Sequence, residues 1–459
     1  MAHFSSDKMR TMPVGKLLFS MAMPAIISML VQSLYNVVDS IFVAQISENA
    51  LVAVSVAFPL QMMIIALALG VGVGTNVLIA RKLGEQRREE ANIGANTGFV
   101  LALINTAICV FVGLFLVGPF VHLFTEDPEI VSMSITYLRI VMICSVGVMV
   151  ELCCSRILQA TGNMIVPMIS QLMGAITNII LDPILIFGLF GFPKMGIAGA
   201  AIATVAGQLL SMFFVLTVLK VGTHEVEIAP WRHHPQWEKA KEIYRIGVPT
   251  LVMNAAGSVT TTALNSILMG FSATAVAVLG IYFKIQSFVF MPIYGLNQGS
   301  MPILSYNYGA KNKDRYATTL RLALITALAI MTVGTVLFWT MPEMLLKLFN
   351  GSDNMLKMGS YALRILALSF IPAACGITMT TMFQSLGKGL MSLIMSVLRQ
   401  IGFIIPLAWV FGKMAGLTLV WFAYPAAEIL HLVVFAPIAL KSMKKSFAQF
   451  EQASRPVTE

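Results

Sequence analysis

Charged side chains are scarce in this chain of 459 residues: Asp, Glu, Lys and Arg together make up 11%, against about a quarter in a soluble globular domain. So little charge excludes a water-soluble globule. Cysteine is rare too. The five residues Cys109, Cys144, Cys153, Cys154 and Cys375 all fall within apolar stretches, which reads as small buried side chains and excludes a disulfide framework. Histidine is equally sparse, and His122 and His431 stand apart with no Ser–His or His-rich spacing. A membrane-embedded enzyme therefore lacks its nucleophile–base or metal constellation. Period-two alternation is absent, which argues against a β-barrel. No small-residue cleavage site follows the first apolar run, so a removable signal peptide is not expected.

What the chain does have is apolar length. Hydrophobic residues make up 58% of it, and the uncharged stretches 50–80, 157–181 and 246–283 reach the roughly 20 residues a spanning helix needs. Helix is the spanning form that satisfies its own backbone in lipid. The expected fold is an all-α polytopic membrane protein of about twelve spans. These lie near 16–45, 52–80, 94–120, 133–160, 165–190, 196–220, 244–270, 275–305, 317–341, 356–386, 391–412 and 416–440.

The net charge of +9 is distributed as a topology signal, which disfavours a nucleic-acid partner. Basic residues cluster in alternate loops, among them Arg81, Lys82, Arg87 and Arg88, then Lys311, Lys313 and Arg315, then Lys441, Lys444 and Lys445. The intervening loops are poor in them. The positive-inside rule then puts both termini in the cytoplasm of a multi-pass cell-membrane protein. Residues 221–243 read as a cytoplasmic linker between an N-terminal lobe, 1–220, and a C-terminal lobe, 244–459.

A constant shift of 225 places Pro24 on Pro249, Gly70 on Gly295, Gly74 on Gly299, Phe124 on Phe349, Arg139 on Arg364 and Gln159 on Gln384. Six spans per half make two parallel repeats around a central cleft, an architecture suited to alternating access. The repeat also sharpens the meaning of two acids. Asp39 and Asp182 lie inside spans, where a carboxylate costs at least a few kcal/mol, yet their repeat counterparts are Leu264 and Leu407.

Depth bookkeeping brings the acids together. Asp39 lies about six residues, roughly 9 Å, from the outer end of the first span. Asp182 in the fifth span and Thr204 in the sixth lie about eight residues from theirs. Asn178 is one turn from Asp182 on the same face, and Gln32, Tyr35 and Asn36 continue the polar face below Asp39. Carboxylates, an amide and a hydroxyl suit a hard cation such as Na+. Two close acids would also repel, leaving one poised to carry a proton. Each residue has a plainer reading: Asp182, before Pro183, as the cap of a restarted half-helix; Asp39 as a structural acid; Asn178 and Thr204 as interhelical hydrogen-bonders.

Other polar residues are less specific. Lys284 in the eighth span is either a functional cation or a snorkelling side chain. Glu151 has Arg156 nearby as a partner. Glu428 and His431 share one face and read better as a packed structural pair than as a relay. Asn254, Asn265, Gln286 and Met253 are candidates for a substrate cleft. The 31 methionines suit either a compliant cavity or lipid contact. Gly70, Gly72 and Gly74 have no phosphate-binding context and read as close helix packing.

The run Gln32-Ser33-Leu34-Tyr35-Asn36-Val37-Val38-Asp39 after Pro24 resembles the first helix of the multidrug and toxic compound extrusion (MATE) transporters. Further matches are Gly70-x-Gly-x-Gly74, Leu158-Gln159-Ala160-Thr161-Gly162-Asn163, Asn178-x-x-x-Asp182-Pro183 and the run from Gly196 to Thr204. One branch of the family carries an acid in the seventh span, and here 247–270 has none, so the pattern resembles the DinF-like branch. That resemblance implies Asp39, Asn178, Asp182 and Thr204 as coupling residues. It implies export of cationic or amphipathic small molecules in exchange for Na+ or H+, without an organic cofactor or an obligate protein partner. Pro24 is the expected bend point. A flippase for a lipid-linked oligosaccharide or another amphipathic lipid is the alternative.

Overall fold

The computed structural model describes residues 7–222, 225–347 and 353–453, and among these no strand occurs. Phe349, the repeat partner of Phe124, lies outside the described residues. The long helices are α1 (Val14–Ala44), α2 (Glu48–Gly84), α3 (Arg88–Phe115), α4 (Pro128–Ile143), α5 (Val146–Ala160), α6 (Ile165–Phe187) and α7 (Ile197–Val221). They continue as α8 (Trp237–Met269), α9 (Ala273–Gly309), α10 (Lys313–Thr340), α11 (Asp353–Ala367), α12 (Phe370–Ser385), α13 (Gly389–Val397), α14 (Ile405–Ala415) and α15 (Ala423–Ala453). A π-helical stretch, Leu398–Ile404, joins α13 to α14.

The repeat read from the sequence recurs in the helix ends. Ser47 caps α2 by accepting from the Ala50 amide, and Ser272, 225 residues on, caps α9 by accepting from the Ala275 amide. The fourth and tenth spans are both bent pairs: α4 and α5 meet at 43°, α11 and α12 at 45°. A shared break at equivalent places is hard to obtain unless both halves solve the same packing problem.

Nine of the described helices are long and apolar enough to cross a membrane, or eleven when each bent pair counts as one span. The twelfth expected span lies in α8, which has 33 residues. Its charged opening turns, with Asn254, Ser258, Thr260, Thr261, Thr262 and Asn265 further along, make it too polar to join that set. The helix also starts at Trp237, ahead of the predicted span, because the charge-rich end of the linker region is itself helical.

The chain forms two compact units, Met1–Thr11 with Ile27–Leu251, and Met12–Ile26 with Val252–Glu459. Of the three unit boundaries, two fall inside helices, α1 and α8, two residues after Pro24 and Pro249. In the first unit Val71, Leu78 and Leu101 pack with Ala240 and Ile243 from the start of α8. The residues before α8 and its first turn are docked on α3: Asn92 Oδ1 accepts from the Glu227 amide, Asn96 donates to the Glu227 carbonyl, and Lys239 in that turn pairs with Glu90 at 2.7 Å. The second unit has an aromatic core in which Tyr282, Phe338 and Phe370 are fully buried and in ring contact.

Glycines in α2 permit close backbone approach, as expected from their spacing. A Cβ on Gly70 would lie 3.1 Å from the Gly247 carbonyl oxygen, and one on Gly74 would collide with the Ile243 carbonyl.

Candidate functional site

The site grows from one helix pair. A stripe of small and hydroxyl residues lets α6 and α7 approach. Ser170 and Ser211 exchange bonds to each other's carbonyls at 3.3 and 2.7 Å, and a Cβ on Gly207 would lie 2.6 Å from the Gly174 carbonyl oxygen. One turn on, the same stripe brings Asn178 Nδ2 to Thr204 Oγ1, donating at 3.2 Å. With such close spacing, short polar side chains satisfy one another directly. Asn178, Thr204 and Asp182 are all buried, Asp182 completely.

The polar face of α1 lies along this pair. Gln171 on α6 donates to Gln32 Oε1 at 2.8 Å, and Gln32 donates on to Asn36 Oδ1 at 3.2 Å. The Tyr35 hydroxyl is hydrogen-bonded to Thr204. The carboxyl groups of Asp39 and Asp182 are in hydrogen-bonding contact with each other. Two neighbouring carboxylates repel when both are ionised, and a shared proton or a bound cation relieves that repulsion. Asp39 Oδ1 is also buried without a protein donor, an acceptor in search of a charge.

All seven first-half candidates thus lie in the first unit as neighbouring polar sets: Gln32 with Asn36, Tyr35 with Thr204 and Asn178, and Asp39 with Asp182. Pro183 sits inside a continuous α6, so Asp182 does not cap a restarted half-helix. Among the described residues no group of three or more His, Cys, Asp or Glu side chains is arranged to hold a metal. The donor set is acid, amide and hydroxyl, which suits a hard monovalent ion or a proton.

Sequence reasoning missed three members of this neighbourhood. Gln171 lies seven residues before Asn178, two turns along the same face, and that spacing was the available signal. Tyr137 is buried near the acids, and its hydroxyl accepts from Gln61 Nε2 at 3.2 Å. Gln61 is the repeat partner of Gln286, so the repeat pointed to it.

The second unit carries a different polar centre. Arg399, in the π-helical stretch, donates from Nη1 to Glu428 Oε1 on α15 at 3.0 Å. His431 is buried one turn beyond Glu428, against Phe435 and the open face of Gly376. The partner of Glu428 is therefore Arg399, a residue that sequence reasoning passed over; an arginine inside a predicted span was itself the signal. Of the second-half cleft candidates, Gln286 lines a cavity of about 260 Å³ beside this pair. Lys284 and Asn254 are exposed and Asn265 and Met253 half-buried, all four outside that cavity's lining. Glu151 accepts from Ser155 and Ser170, and Arg156 donates to Gln159.

Nine to eleven apolar spans among the described residues, a 225-residue repeat and paired acids present in one repeat alone fit a membrane transporter. The MatE family model matches twice, over residues 24–184 and 249–410, and the two matches begin 225 residues apart. The chain belongs to the MatE family. It is 26% identical over 411 residues to the multidrug export protein MepA of Staphylococcus saprophyticus, covering 89% of this chain and 90% of that protein. Among solved structures it is similar to a MATE transporter in the straight conformation and in the bent conformation. Each has a TM-score of 0.90 and is 26% identical, over 97% of this chain and 98% of the straight one, and over 98% of this chain and 100% of the bent one.

Proposed function

We infer that the protein is a cation-coupled antiporter of the cell membrane, with both termini cytoplasmic, that exports small cationic or amphipathic compounds by alternating access. The observation that carries this reading is the Asp39–Asp182 contact between α1 and α6, beside the Asn178–Thr204 bond. A proton or Na+ between the two acids holds α1 against α6; without it the carboxylates repel. Loading and unloading the ion thereby biases the packing of α1, and Pro24, which interrupts that helix's hydrogen bonding, is the point about which it bends. Export is supported by the name of the MepA relative, and two interconverting states by the two conformations solved for a similar transporter. No organic cofactor is needed for this chemistry.

The flippase reading calls for a cleft with several cations for phosphate and its lipid, and the second-unit cavity of about 260 Å³ is lined by one arginine. The test is drug efflux from proteoliposomes at fixed pH, driven in turn by an inward sodium gradient and an inward proton gradient. One of the two should drive accumulation-free export, and Asp39→Asn should abolish it while the protein stays folded. Gradient-independent movement of lipid that survives this substitution would overturn the reading.

A further inference from the structure

The second-unit cavity is the repeat counterpart of the coupling network. Subtracting 225 from its lining residues Gly257, Thr260, Thr261 and Gln286 returns Gln32, Tyr35, Asn36 and Gln61, all of them members of the first-unit network. The acids have no equivalent, since Leu264 and Leu407 stand in their place. Charge instead enters through Arg399 and Glu428, whose counterpart positions are Gly174, at the α6–α7 contact, and Ala203, buried on α7. The second unit has thus kept the polar pocket and exchanged its need for an external cation for a built-in one.

The exchange leaves an asymmetric surface. Both residues line the cavity, but the Glu428 side chain is 5% exposed and the Arg399 side chain 21%. One N–H of the guanidinium is committed to Glu428, and the fork carries five donors. Glu428 Oε2 is buried. Tyr294 and Tyr424 face the same guanidinium, and Phe283, Phe290 and Met291 supply flat apolar walls. The volume of about 260 Å³ falls just short of the roughly 300 Å³ at which drug-sized sites begin, so the occupant is small.

We propose that this cavity is a second binding site, selective for small aromatic carboxylates: the carboxylate takes the outward donors of Arg399 and the ring stacks among Tyr294, Tyr424 and Phe290. Arginine suits this role because its planar fork matches a carboxylate in two parallel bonds. The prior pairing with Glu428 holds that fork in place.

The test is equilibrium dialysis of radiolabelled 2-naphthoate, 2-naphthylmethanol and 2-naphthylmethylammonium against the full-length protein in nanodiscs, with empty nanodiscs as the blank. Saturable binding is expected to favour naphthoate. Arg399→Lys, which keeps the charge for Glu428 but loses the fork, should weaken it several-fold. The charge-balanced double variant Arg399→Gln/Glu428→Gln should weaken it about tenfold or more. Asp39→Asn should bind naphthoate as the wild type does, which separates this site from the coupling site. The proposal is overturned by a preference for the ammonium probe, by absence of saturable binding, or by affinity unchanged in Arg399→Lys. It is equally overturned if Asp39→Asn costs as much as the arginine substitutions.

Discussion

At the scale of single residues, Thr204 matters as much as the acids. Its hydroxyl accepts from Asn178 and is bonded to Tyr35, so it joins α7 to α6 and to α1 in one atom. Thr204→Val keeps the shape and strands two buried polar groups, at about 1–3 kcal/mol. We expect the variant to fold but to need at least about fivefold more coupling ion for half-maximal efflux, with Thr204→Ser close to wild type. Ion-titrated efflux in proteoliposomes checks this, and equal behaviour of the two variants would show that the hydroxyl does not serve the site. This much was legible in the sequence because depth along a helix is simple arithmetic: a rise of 1.5 Å per residue aligned Asp39, Asn178, Asp182 and Thr204. Arg399 and its bond to Glu428 were less legible, because their meeting depends on a π-helical stretch that shifts the register of the eleventh span. No residue pattern announces such a shift.

Helices pack here according to where side chains are missing. Gly295 and Gly299 on α9 form a one-turn stripe against the start of α1. A Cβ on Gly299 would lie 2.6 Å from Ala22 Cα, and one on Gly295 2.6 Å from Ile26 Cα. Both neighbours are backbone and cannot swing away. Gly280, about four turns from the stripe on the same helix, would meet nothing within 4 Å. Gly299→Ala should therefore cost about 1–3 kcal/mol through forced separation of the helices. Gly280→Ala should be neutral or stabilise by up to about 1 kcal/mol. Melting temperatures of the two purified variants decide the matter, and a fall of similar size in both would refute the packing account. The sequence pointed to these contacts through the shared 225 shift of Gly70 and Gly74, but it did not identify the partners. Which helix a glycine stripe faces is a property of the tertiary arrangement, and α8 itself was hard to place because its threonines and asparagines dilute its apolar character.

For the molecule as a whole, each compact unit is completed by a segment from the other half of the sequence: 237–251 in the first, 12–26 in the second. Six helices of one repeat are thus not a self-sufficient body. In the first unit the segment at the start of α8 contributes Ala240 and Ile243 to the cluster around Val71, Leu78 and Leu101, and Ile243 is fully buried. Its loss leaves a cavity of the kind that costs about 2–5 kcal/mol per large side chain. It also removes Lys239, leaving Glu90 with one fewer cation. A fragment of residues 1–222 expressed alone should therefore be polydisperse on size-exclusion chromatography and melt early. Extending it to 1–251 should sharpen the peak and raise the melting temperature, and co-expressing 1–222 with 223–459 should restore drug efflux. If 1–222 alone were as monodisperse and as stable as 1–251, the exchange of segments would be incidental, and the proline-marked boundaries in α1 and α8 would lose their role as the places where the two units are joined.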